Sequence, residues 1–156
     1  RLIDSYVDGH KYVFGKKAVV YGDEDFVIGI TSMLKEIGVE PVLCASGGYS
    51  GEFKKRIKAI TGNDDIYIED DTDFESIRDI SKEIKPDIMI GNSKGYYIAR
   101  ELDIPIIRLG FPIHDRFSGQ RIPHLTYKGT QHIFDTLVNA LLDHKQSHSS
   151  VAYKYM

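Results

Sequence analysis

The sequence holds a single cysteine, Cys44, among 156 residues. One thiol cannot form a disulfide within the chain or build a cysteine-rich zinc or iron–sulfur site. This usage fits a reducing compartment, and a cytoplasmic location is expected. Long apolar runs are also missing: none approaches the ~20 residues that cross a bilayer, and no secretory leader is recognisable. Nor is there an excess of charge of either sign. A net charge of −3 and a pI of about 6.1 give no basis for bulk attraction to nucleic acid or an anionic membrane. Internal repeats and low-complexity tracts are absent. The first residue is arginine, and the chain is expected to be one piece of a longer or processed polypeptide.

What is present is ordinary globular material. Hydrophobic residues at 42% and charged residues at 28% suit one domain with a real core. A β-branched run followed by a helical pattern recurs along the chain. KAVVYG (17–22), EPVLCAS (40–46), DDIYIED (64–70), DIMIGN (87–92) and IPIIRLG (104–110) read as strands. Between them, apolar residues recur at helical spacing, as at Phe26, Ile30, Met33, Leu34 and Ile37. Asp23 and a residue near Thr72 are expected caps, and Gly38 and Gly62 are expected stops. RLIDSYVDGHKYVF (1–14) predicts a leading helix, and TYKGTQHIFDTLVNALLDHK (126–145) predicts the last one. This alternation predicts an α/β, Rossmann-like three-layer domain with a parallel sheet of about five strands. Residues 1–146 are expected to form it, leaving 147–156 as a polar tail that is disordered or docked on a partner.

Ligands of such sheets sit beyond the carboxyl ends of the strands. YGDEDF after the first strand lacks the glycine pattern of a dinucleotide loop, and its acids suit a helix start instead. SGGYSGE (46–52) could cradle an anion in a nest of amides or simply turn the chain; it lacks the lysine of a phosphate-binding loop. Cys44, inside an apolar strand, reads as packing. GNSKGYY (91–97) supplies caps in Asn92 and Ser93, and Gly95 permits close approach to a ligand or subunit. Asp4 and Asp8, four apart, share one helix face; they either hold a divalent cation or are merely solvated.

The stretch GFPIHDRFSGQR (110–121) gathers His114, Asp115, Arg116 and Arg121 after the fifth strand. His114 and Asp115 are sequence neighbours and Ser118 has no nucleophile elbow, so a serine-hydrolase triad is a poor fit. His114, His124 and Asp115 match no standard zinc spacing. The two arginines could pair with carboxylates across an interface. The safest reading is a structured loop tying the fifth strand to the last helix.

Three separated segments resemble one family. RLIDSYVDGHKYVFGKKAVVYGDEDFVIG, KPDIMIGNSKG, and PIIRLGFPIHDR with YKGTQHIFDTLVNALL are similar to the C-terminal domain of nitrogenase component 1, on its beta-type side. That side includes the molybdenum–iron protein beta subunit and the paralogous subunit of the scaffold for cofactor assembly. The resemblance implies a role in dinitrogen reduction or in iron–molybdenum cofactor assembly. It implies three partners: an alpha-type subunit, a second beta-type subunit, and an ATP-dependent iron protein. It places the iron–sulfur cluster and the iron–molybdenum cofactor elsewhere in the complex, because the cluster cysteines lie in an N-terminal domain absent from this chain. The alpha-type cofactor histidine would fall near Gly110 and Phe111, which cannot ligate a metal. Neither a catalytic nor a cofactor-binding residue is therefore expected in this chain. Asp4 and Asp8 match two ligands of a divalent-cation site between beta subunits. Gly91, Asn92, Ser93, Gly95, Asp115 and Arg116 are expected on a subunit-facing edge. His114 stands where the catalytic beta subunit has an aromatic residue, a departure that leans toward scaffold-type or alternative versions. A stand-alone Rossmann-type small-molecule-binding domain is the competing reading.

Overall fold

The computed structural model describes residues 2–119 and 126–150. Arg121 and His124 lie outside the described residues, as does the end of the polar tail. Helix α1 (Leu2–Val13) leads into β1 (Lys17–Gly22), α2 (Glu24–Ile37), β2 (Glu40–Ser46), α3 (Phe53–Thr61) and β3 (Tyr67–Glu69). Then come α4 (Phe74–Ile84), β4 (Ile88–Gly91), a 3-10 turn (Ser93–Gly95), α5 (Tyr96–Leu102), β5 (Ile106–Arg108) and α6 (Thr126–Ser147). All strand pairs are parallel, in the order β3-β2-β1-β4-β5. The order reverses at β1, so the chain crosses from one half of the sheet to the other between β3 and β4.

The five strands form two apolar faces because their side chains alternate. Ala18, Val20, Cys44, Ile68, Ile88, Ile90 and Ile107 meet α2, α3 and α6. Val19, Tyr21, Leu43, Ala45 and Met89 meet α4 and α5 on the opposite face. Both faces are covered, which explains why the strands read as nearly continuous apolar runs. Helix α1 lies outside this plan and packs on α6, where Tyr6 meets the Phe134 ring at 4.9 Å between centroids.

The expected boundaries hold in the centre of the sheet and shrink at its edges. β3 covers three residues, not the whole of 64–70. The Asp65 amide turns to Asn63 Oδ1, and the Asp71 amide donates to Gly48 O instead of a neighbouring strand. β5 is equally short: the Ile104 amide is spent on Ala99 O, closing α5. The cap of α4 is Asp73, whose Oδ1 accepts from the Ser76 amide at 2.9 Å, whereas the Thr72 amide holds Ser46 O. Asp23 takes the cap position of α2 without a side-chain bond. Gly38 ends α2 at φ 88, in the left-handed region that suits glycine. α6 continues to Ser147, beyond the expected limit at Lys145.

Candidate functional site

The carboxyl ends of β1, β2 and β4 and the segment after β5 surround a cleft of about 270 Å³, lined by Tyr21, Ser46, Gly48, Thr72, Asn92 and Pro112. Its central post is Tyr21, at the end of the middle strand. The Tyr21 side chain is fully buried, and its hydroxyl donates to Asn92 O. Burial pushes the phenol well above its ordinary pKa, with a smaller opposing effect from the Gly95 amide. Phe74 meets the ring edge-on at 5.6 Å.

Gly91 and Gly95 make room for this tyrosine. A β-carbon at Gly91 would stand 2.6 Å from Tyr21 O, and one at Gly95 would overlap the tyrosine hydroxyl. Both glycines and Asn92 are buried within the chain. Close approach at Gly95 is thus made by Tyr21 of the same chain. The tyrosine was missing from the sequence reading; the paired glycines four apart, facing a large residue in the adjacent strand, are the signal for it.

The turn after β4 in turn fastens the segment after β5. Ser93 N and Ser93 Oγ both donate to Pro112 O at 3.1 Å, and the His114 amide donates to Ser93 Oγ at 3.0 Å. Asn92 Nδ2 reaches Phe111 O at 3.4 Å while its Oδ1 accepts from the Lys94 amide. Arg108, at the end of β5, sets Nε 2.9 Å from both oxygens of Asp115. The Tyr96 ring lies 5.0 Å from the same guanidinium. Arg116 is exposed, and its Nη1 donates to Asp115 O at 2.6 Å. The structure therefore brings Asn92, Ser93, Asp115 and Arg116 into one hydrogen-bonded corner. Arg108, only 11% exposed at its side chain, is the partner that sequence reading missed. An arginine inside PIIRL is its trace.

This corner does not assemble hydrolytic chemistry. The Asp115 carboxylate is committed to Arg108 and does not orient His114. Nor is the glycine-rich loop an open anion cradle. The Ser50 amide donates to Glu24 Oε1 at 3.0 Å, placing the chain's own carboxylate where an anion would bind. The Gly48 and Glu52 amides are spent on Ser46 Oγ and Ser50 Oγ. Cys44 is fully buried beside Thr31, with Oγ1 and Sγ 3.3 Å apart. Burial raises its thiol to about 12, an effect the Thr31 contact only partly offsets. A thiol so placed does not fit a metal cluster, and Gly110 and Phe111 offer no side-chain ligand atom.

The corner instead exposes apolar surface. Phe111 is 61% exposed and Phe117 is 95% exposed. Helix α1 carries Asp4 and Asp8 on its exposed face beside the exposed Ile3 and Val7. The two carboxylates share one exposed helix face.

Among the described residues, no helix is long and apolar enough to cross a membrane. Comparisons with known proteins agree with this geometry. The chain is 39% identical to the nitrogenase molybdenum-iron protein beta chain of Azotobacter vinelandii, over 92% of this chain and 29% of that relative. It is 37% identical to the beta chain of Methanothermobacter thermautotrophicus, over 90% of this chain and 31% of that one. It thus spans less than a third of the length of these relatives. The solved structure of nitrogenase Cp1 at pH 6.5 superposes with a TM-score of 0.95 at 30% identity, over 99% of this chain and 35% of that chain. Residues 1–142 match the family described as nitrogenase component 1 type oxidoreductase, and the chain belongs to that family.

Proposed function

We propose that this chain is the C-terminal domain of a beta-type nitrogenase component 1 subunit, acting in dinitrogen reduction or in iron–molybdenum cofactor assembly. Its contribution is structural: residues 1–146 present this corner to the alpha-type subunit, and the polar tail follows. The observation that carries this reading is the exposure of Phe111 and Phe117 on a segment fastened by Ser93, Asn92 and Arg108. Exposed aromatic side chains on and beside a hydrogen-bonded segment are suited to fill pockets on a partner. Asp115 and Arg116 supply the polar rim. The second beta-type subunit meets α1, where Asp4 and Asp8 provide part of a divalent-cation site and Ile3 and Val7 the apolar contact. The iron–sulfur cluster, the iron–molybdenum cofactor or its precursor, and the docking of the iron protein belong to the complete complex.

The test is substitution in the full-length subunit co-expressed with its alpha-type partner. Phe117→Asp places a charge in the apolar contact, and Asp115→Ala with Arg116→Ala removes the rim. Loss of co-purification is expected for Phe117→Asp, with weaker loss for the double variant. Tyr67→Asp, on the edge strand β3, serves as the control. Assembly of Phe117→Asp at the level of the control would sink the proposal.

A further inference from the structure

We propose that Asp103, His144 and His148 form a binding site for a divalent cation of the zinc class, where the end of α6 meets the α5–β5 turn. This proposal does not rest on the family reading. His144 and His148 are four residues apart, and their rings stack with centroids 4.0 Å apart and planes 24° from parallel. Both Nε2 atoms face Asp103: His144 Nε2 is 2.7 Å from the Asp103 carbonyl oxygen, and His148 Nε2 is 2.6 Å from Oδ2. One ligand atom from each residue lies within 4.8 Å of the others.

The supporting contacts favour ligation. His148 Nδ1 lies 2.8 Å from His144 O, to which its N–H donates. Metal-binding imidazoles commonly use such a bond to fix the tautomer and present the other nitrogen. Asp103 is held as the left-handed C-cap of α5 (φ 53), its amide bonded to Ala99 O and Arg100 O. An entering cation replaces the proton between His148 and Asp103 and draws His144 Nε2 from the carbonyl. The two histidines and the aspartate then supply three ligands, and water completes the shell.

Two imidazoles and one carboxylate suit zinc-class metals better than magnesium or calcium. Lys11, Lys16 and Lys145 line the adjoining cleft with His144. That cleft also includes Asp87 and Ile104, just before β4 and β5. The site therefore lies at the amino edge of the sheet, opposite the corner described above. A bound ion would staple the last turn of α6 to the α5–β5 corner. The spacing His144-x-x-x-His148 is visible in the sequence, but Asp103 is found only by the fold.

Zinc chloride titrated calorimetrically into the untagged 156-residue chain tests the proposal. One saturable binding event is expected, with no comparable event for magnesium. His148→Gln, His144→Gln and Asp103→Asn should each weaken zinc binding by about tenfold or more. Asparagine keeps the left-handed cap, and circular dichroism verifies each fold. In the unaltered chain, zinc should shift the imidazole nitrogen resonances of His144 and His148 and spare His132. No saturable zinc binding, unchanged affinity in the His144→Gln/His148→Gln double variant, or resonance shifts confined to other histidines would each overturn it.

Discussion

Replacing Gly95 by alanine tests whether Tyr21 is the post on which the carboxyl edge is built. The backbone there is right-handed helical (φ −81, ψ −2), so alanine incurs no conformational strain and the effect is steric. Its β-carbon would overlap both the Tyr21 hydroxyl and the ring carbon Cζ. The tyrosine cannot swing away. It stands in the central strand, Phe74 packs on its ring, and its hydroxyl is bonded to Asn92 O. Overpacking of this kind costs ~1–3 kcal/mol. Displacing the hydroxyl adds ~1–3 kcal/mol for buried groups left unpaired. The smaller unfolded-state entropy of alanine offsets less than ~1 kcal/mol. We expect Gly95→Ala to destabilise the chain by about 3 kcal/mol, and at ~2–4 °C per kcal/mol the melting point falls by roughly 6–12 °C. Tyr21→Phe removes the oxygen and costs about 1–2 kcal/mol alone. In the double variant the oxygen clash is gone while the overlap with ring carbon Cζ remains, so the costs should fall short of additivity by part of the overpacking, ~1 kcal/mol. Urea unfolding of the four chains, followed by far-ultraviolet circular dichroism, measures the cycle. Additive costs, or a neutral Gly95→Ala, would refute the role given to Tyr21.

Two further outcomes follow from side chains elsewhere. Glu101 lies between Arg78 and Lys82, and its hydrogen bonds to them hold its carboxyl at about 2, below an ordinary value of 4.5. Because the folded pKa is the lower one, its contribution is complete above 4.5 and disappears as pH falls toward 2. The difference in urea midpoint between the native chain and Glu101→Gln should therefore shrink across that window; a constant difference contradicts the pairing. Cys44, with its thiol raised to about 12, should resist a thiol reagent at pH 8 until urea unfolds the chain. Rapid stoichiometric labelling of the native chain would contradict its burial.

The layers were legible in the sequence because the strongest signals were local. β1 and β2 stand where their apolar runs predict, and Gly38 stops α2 as expected. Edge strands were overestimated because amides at their ends find turn or cap partners, as at Asp65 and Ile104. Asn92, Ser93, Asp115 and Arg116 were singled out from composition and position, and they do gather in one corner. What joins them was not legible. Arg108 to Asp115 depends on how the chain folds back after β5, and Tyr21 between Gly91 and Gly95 depends on strand register. The Asp103–His148 contact spans 45 residues and has no trace in any single stretch.

We propose that the corner after β5 faces another protein. Hydroxyl-radical footprinting of Phe111 and Phe117 tests it most directly, in this chain alone and in the full-length subunit assembled with its alpha-type partner. Strong labelling of both rings is expected in the isolated chain and protection of both in the assembly, with Tyr67 unchanged. Equal labelling of Phe111 and Phe117 in the two states would contradict it.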